Sequence, residues 1–108
     1  MIPIRVTNKG DEIAATADTL FVHIYYPNTL GNPLQINERW DAAFIQDQYR
    51  KYLTLKLKQK DEATIAKLDL IANHLMEGKG VVMIQGTKDV HGQLLADFIE
   101  QQIKESTG

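Results

Sequence analysis

The sequence contains no cysteine, which excludes disulfides, zinc ribbons and thiol catalysis and suits a reducing compartment. No apolar run approaches the roughly 20 residues that span a bilayer. The opening residues Met1-Ile2-Pro3-Ile4-Arg5 lack a basic region followed by an apolar signal segment. A cytoplasmic protein without membrane contact is therefore expected. Clusters of like charge are also missing, because a net charge of −2 is spread over interspersed signs. Phosphate backbones are normally gripped by clustered Lys and Arg, so a nucleic-acid partner is not expected. The spacing Gly-x-x-x-x-Gly-Lys-Ser/Thr is absent, and Gly86-Thr87-Lys88 matches only its tail, which argues against a nucleoside triphosphatase. His23, His74 and His91 have no ligand spacing, so neither a metal nor another cofactor is expected. There is no internal repeat and no low-complexity segment.

What is present describes one domain: 108 residues, 44% of them hydrophobic and 24% charged, enough for a single core. Val81-Val82-Met83-Ile84 is a short apolar run opened by Gly80 and closed by Gln85-Gly86, the pattern of a central parallel strand buried on both faces. After a polar turn, Val90, Leu94, Leu95, Phe98, Ile99 and Ile103 form the apolar stripe of a helix. Upstream, Ile2, Ile4 and Val6 alternate with Pro3 and Arg5, as in a first or edge strand. Leu20 to Tyr26 is rich in β-branched and aromatic residues and ends at Pro27-Asn28, which makes it a second strand. Residues 7–18 read as a loop.

Asn37 is the expected N-cap of a long helix whose buried stripe is Trp40, Phe44, Ile45, Tyr49, Tyr52 and Leu53, with Glu38 in its first turn. Asp61 caps a second helix that Gly78 stops. The pattern predicts strands over 2–7, 19–26 and 81–85 and helices over 38–58, 61–77 and 91–104. That is an α/β fold: a small Rossmann-like domain of two or three layers, with a short, mostly parallel sheet and about three helices. Val82, Ile84, Leu94, Phe98, Phe44, Leu68 and Leu75 are the expected core.

Strands joined by a helical crossover lie parallel. The loop carrying Gly31-Asn32-Pro33 and the turn from Gln85 to Gly92 then leave one carboxyl edge, where open α/β sheets bind ligands. His91-Gly92 opens the last helix, whose N–H groups and dipole favour an anion. His91 is either an acid, base or donor at that site, or a first-turn residue capped by Thr87 or Asp89. Arg39 and Arg50, eleven positions and so about three turns apart, would share a side of the long helix. Arg39 lies beside the loop, whereas Arg50 suits a solvated face near Asp41 or Asp47. Tyr25 or Tyr26 has the position to stack on a base or sugar. The candidate ligand-binding set is Gly31, Asn32, Arg39, Thr87, His91 and Gly92, with His91 as the candidate catalytic residue.

Three segments, Leu30-Gly31-Asn32-Pro33, Arg39 with Tyr49-Arg50-Lys51-Tyr52-Leu53, and His91-Gly92-Gln93-Leu94-Leu95-Ala96-Asp97-Phe98-Ile99-Glu100, together resemble a family of small phage and bacterial proteins catalogued as domain of unknown function 4326. In that family the last strand ends in cysteines, and another cysteine precedes the His-Gly pair. Here those positions are Met83, Gln85 and Val90, so a metal or thiol role does not carry over. The resemblance implies an α/β fold in which the Gly-Asn-Pro and His-Gly segments form one site, in the host cytoplasm if the protein is phage-encoded. Two functions are expected to compete: a pocket for a nucleotide-like or phosphorylated small molecule, and an accessory protein that binds and modulates a host protein.

Overall fold

The computed structural model describes residues 3–11, 17–34 and 39–107. Its elements are β1 (Arg5–Asn8), β2 (Leu20–His23), α1 (Ala42–Lys58), α2 (Glu62–Met76), β3 (Val81–Gln85) and α3 (Gly92–Thr107). All three strands are parallel and ordered β1-β3-β2, a Rossmann-like α/β arrangement. The central β3 buries Val81, Val82 and Met83 completely, as a strand flanked on both sides by others allows. Val6 and Val22 both lie in register with Met83, and Leu20 with Val81. These alternate positions belong to one core together with Tyr49 and Leu53 of α1, Ile71 and Leu75 of α2, and Leu95, Ile99 and Ile103 of α3. The three helices therefore share one sheet face, giving two layers among the described residues.

The long helix starts later than its hydrophobic pattern implies. Asp41 is the N-cap, its carboxyl oxygen accepting from the Phe44 amide at 2.9 Å, while Asn37 and Glu38 lie outside the described residues. Arg39 consequently precedes the helix, and the expected alignment with Arg50 is lost; Arg50 faces Asp47 in an exposed pair at 3.9 Å. Phe44 is 42% exposed and stacks on Trp40, so the buried stripe is Ile45, Tyr49 and Leu53 at four-residue spacing. Asp61 caps α2 through both the amide and the hydroxyl of Thr64. Gly78 ends it at φ 81°, a conformation that glycine takes without steric penalty.

Pairing of β1 with β3 extends to Asn8, past the expected end at 7, while Ile2 lies outside the described residues. The second strand stops at His23 rather than 26, and α3 begins at Gly92 and runs beyond 104. Of the expected core, Val82 and Leu75 are fully buried, but Ile84, Leu94, Phe98 and Leu68 are only half-buried. Two layers leave one sheet face and the outer helix flanks partly open to solvent. Leu75→Ala should lower unfolding free energy by about 2–5 kcal/mol, whereas Phe44→Ala should change it by less than about 1 kcal/mol. Urea denaturation of both variants checks the assignment, and equal losses would refute it.

Candidate functional site

Parallel strands send the segments after β2 and β3 off the same edge of the sheet. After β2 the chain doubles back: the Asn28 backbone and side-chain amides both donate to the Tyr25 carbonyl, at 2.9 and 2.8 Å. Gly31 N–H then donates to the Asn28 carbonyl at 2.8 Å, and Asn32 pairs alongside Tyr25. This return presses Gly31 against backbone. A Cβ there would lie 2.6 Å from the Tyr26 nitrogen and 2.7 Å from the Tyr25 carbonyl carbon, so only glycine fits.

After β3, Gly86 to Asp89 forms a tight turn, with Asp89 N–H donating to the Gly86 carbonyl at 3.0 Å. The ladder between β2 and β3 ends here in a specific way. Ile24 N–H still donates to the Ile84 carbonyl at 2.8 Å, and the next parallel rung would join Gly86 N–H to the Ile24 carbonyl. Two side chains from the turn replace that rung. Asp89 Oδ2 accepts from Gly86 N–H at 2.7 Å, and His91 Nε2 contacts the Ile24 carbonyl at 2.7 Å. Because a carbonyl only accepts, Nε2 carries the proton and donates.

Helix α1 locks the two segments together. Tyr49 packs its ring on His91, with centroids 4.5 Å apart, and donates its hydroxyl to the Leu30 carbonyl at 2.8 Å. Gln46 donates its amide to the Val90 carbonyl at 2.8 Å. The first amide of α3 is also engaged: Gly92 N–H donates to Gln85 Oε1 at 3.0 Å, while Gln85 Nε2 donates to Asn8 Oδ1 at 3.1 Å. Leu95 N–H donates to the His91 carbonyl, which makes His91 the N-cap residue by position. Yet neither Thr87 nor Asp89 caps this helix; Gln85, from the end of β3, meets its first N–H. A Cβ on Gly92 would fall 2.5 Å from Val6 Cγ1 and 2.6 Å from Gln85 Oε1.

Asn32, Asp89 and His91 are almost wholly buried, at 1%, 4% and 0% exposure, and each keeps one atom without a partner among the described residues: Asn32 Nδ2, Asp89 Oδ1 and His91 Nδ1. Burial pushes the His91 pKa below its ordinary value, against the opposing pull of the Asp89 charge and of the Ile24 and Leu30 carbonyls. The Tyr49 phenol is pushed well up, by burial first and then by Tyr52 and the Asp89 charge. Both rings are therefore neutral at neutral pH.

The structure thus brings Gly31, Asn32, His91 and Gly92 to one edge, with the first and last two closed in by protein atoms. Thr87 is exposed at the tip of the turn and Arg39 is exposed in the segment leading into α1. As a general acid or base His91 is poorly placed, because it is fully buried and its Nε2 is committed. Sequence reasoning missed Gln46 and Gln85 and treated Asp89 as a cap; the pairing of a turn aspartate with the histidine two residues on was the available signal. It also missed a cavity of about 280 Å³ between the β2 loop and α1, lined by Asn32, Pro33, Leu34, Gln48, Lys51, Tyr52 and Leu55. Among the described residues no three His, Asp or Glu side chains converge to hold a metal, and no helix is long and apolar enough to cross a membrane. No family model matches the chain, and neither a curated protein nor a solved structure matches it.

Two outcomes follow from this geometry. A histidine with a lowered folded-state pKa binds its proton more readily in the unfolded chain, so stability should fall as pH drops below about 6.5. Urea melts between pH 7.5 and 5 should show that loss, and His91→Gln should flatten the dependence in the same window. Gly31→Ala should cost about 1–3 kcal/mol through forced backbone displacement; an unchanged melting temperature would mean that the return of the loop is looser than described.

Proposed function

We propose that the chain binds a small phosphorylated or nucleotide-like molecule at the carboxyl edge of its sheet. Asn32, Arg39 and Thr87 face the ligand, and Gly31, His91 and Gly92 hold the frame behind them. The observation that carries this reading is the set of unpaired atoms on Asn32, Asp89 and His91, all buried and all on the two segments leaving that edge. A buried polar atom without a partner costs about 1–3 kcal/mol, a large fraction of the roughly 5–15 kcal/mol that stabilises a domain. Such groups are uncommon in native folds, and each calls for an explanation. The reading concerns binding, since a buried His91 without an adjacent nucleophile gives no acid–base mechanism.

The rival reading, an accessory protein that modulates a host protein, is favoured by one feature. An apolar groove of about 400 Å³ runs between α2 and α3, lined among others by Leu68, Ala72, Met76, Phe98 and Ile103. It is the larger concavity, but it lies away from the polar edge and holds none of the unpaired buried atoms.

Scanning fluorimetry against nucleoside mono-, di- and triphosphates and sugar phosphates separates the two readings. A ligand at about 100 times its Kd adds roughly 2.7 kcal/mol of stability, a clear rise in melting temperature. Arg39→Ala should weaken such binding by about two- to fivefold, the loss of one solvent-exposed charged contact, with the fold intact. The partner reading requires the reverse, no shift with any of these compounds, and that result would sink the small-ligand proposal.

A further inference from the structure

The outer strands of the sheet, β1 and β2, present edges that are not equivalent. At β1 the outward backbone is met from within the chain: Ile4 N–H donates to Glu100 Oε1 at 2.9 Å, and the Asn8 carbonyl accepts from Asp11 N–H at 3.0 Å. Pro3 and Arg5 add a proline and a charge, two devices that commonly guard an edge. β2 has no such protection. Leu20 N–H donates to the Gly80 carbonyl at 3.0 Å and Ile24 N–H to the Ile84 carbonyl at 2.8 Å, so the alternate residues Leu20, Val22 and Ile24 turn their backbone groups toward β3. Phe21 and His23 turn theirs away from the sheet, where they meet no partner among the described residues. Thr19 to Tyr26 carries neither a charged residue nor a proline. Phe21 is 44% exposed, and His23, on the same sheet face, is exposed as well. Open backbone groups along an uncharged strand are a template for another strand.

We propose that β2 pairs antiparallel with β2 of a second copy of this chain across a two-fold axis. Two features select a copy over an unrelated strand. The edge bears no charge, so it does not repel itself. A two-fold also closes both unguarded edges at once, joining β1-β3-β2 to β2-β3-β1 in one continuous sheet that ends on the guarded β1 at either side. The loop after β2 sets the register. Asn32 already lies alongside Tyr25, and an axis beside Val22 would drive the partner's Thr19 onto Asn32. An axis beside Phe21 avoids that collision. Each Phe21 then exchanges N–H to carbonyl bonds with the partner's Phe21, each His23 lies opposite the partner's Thr19, and the two phenyl rings become neighbours on one face.

Sedimentation velocity of the full chain from micromolar to millimolar concentration tests the pairing. A species of twice the 12.2 kDa chain mass should grow with concentration. Phe21→Lys sets like charges across the axis and should weaken that dimer by about tenfold or more, with the far-UV circular dichroism of the monomer unchanged. Because the chain has no cysteine, a single introduced one forms a disulfide only between copies. Opposed residues of such a pair lie about 5.5 Å apart at Cα, within disulfide reach, so Phe21→Cys should oxidise to a covalent dimer. Gln101→Cys, exposed on α3 next to the Glu100 that closes β1, should not. A chain that stays monomeric throughout would overturn the proposal and leave the edge to an unrelated strand. A dimer of unchanged affinity in folded Phe21→Lys, or cross-linking no greater at position 21 than at 101, would place the contact elsewhere and overturn it likewise.

Discussion

The hydrogen bond from His91 Nε2 to the Ile24 carbonyl, 2.7 Å long and between two fully buried residues, holds the carboxyl edge of this sheet together. It stands where a backbone rung would otherwise be. A parallel ladder that ends inside protein leaves one N–H and one C=O to be satisfied, and leaving either unmet costs on the order of a hydrogen bond and its desolvation. Here both are met by side chains of one three-residue stretch, Asp89-Val90-His91, with Asp89 on the Gly86 N–H and His91 on the Ile24 carbonyl. The strands can then diverge without orphaned backbone. The β2 loop is free to double back through Gly31, and the turn after β3 to start α3.

The geometry of the edge follows from that substitution. His91 brings its ring under Tyr49, whose hydroxyl reaches the Leu30 carbonyl, so a residue from each of three segments meets at one point. The dependence is mutual: burial of the imidazole favours its neutral form, and a neutral ring with its proton on Nε2 is the tautomer the Ile24 carbonyl needs. A polar network in a low-dielectric interior stabilises a unique arrangement when its members are matched. This network is matched in its structural bonds and leaves one atom open on each of Asn32, Asp89 and His91.

Much of the fold was legible in the sequence because hydrophobic period reports burial directly. The run Val81 to Ile84, the Asp61 cap and the Gly78 stop appear where the pattern puts them, and the parallel pairing of β2 with β3 follows from a helical crossover between them. The errors have local physical causes. Trp40 and Phe44 are four apart and apolar, which reads as a buried stripe, but they stack on each other at 6.0 Å on the surface. Asp41 was a stronger N-cap than the upstream pattern implied, and it removed Arg39 from the helix. The meeting of the two loops at one sheet edge was legible in the sequence, and the bonds between them were not. Periodicity places two loops at one edge, but it cannot show that the Gln85 side chain closes the first amide of α3, or that the side-chain amide of Asn32 keeps an unused donor while its oxygen serves Leu34.

That closure changes how charge can be recognised here. An open helix N-terminus offers N–H groups and a positive pole to an anion, but Gly92 N–H is occupied by Gln85 Oε1, which in turn is tethered by Nε2 to Asn8. Because the capping group is a neutral amide, the pole is satisfied geometrically without being neutralised by an acid. Its field persists, yet its nearest donor is unavailable. Direct contact with an anionic group then falls to exposed side chains at the rim, where solvent and salt screen the interaction to roughly 0–1 kcal/mol per pair. Interactions made inside the protein are not screened in that way, so on the binding reading proposed above, charge at this edge adds only a modest increment.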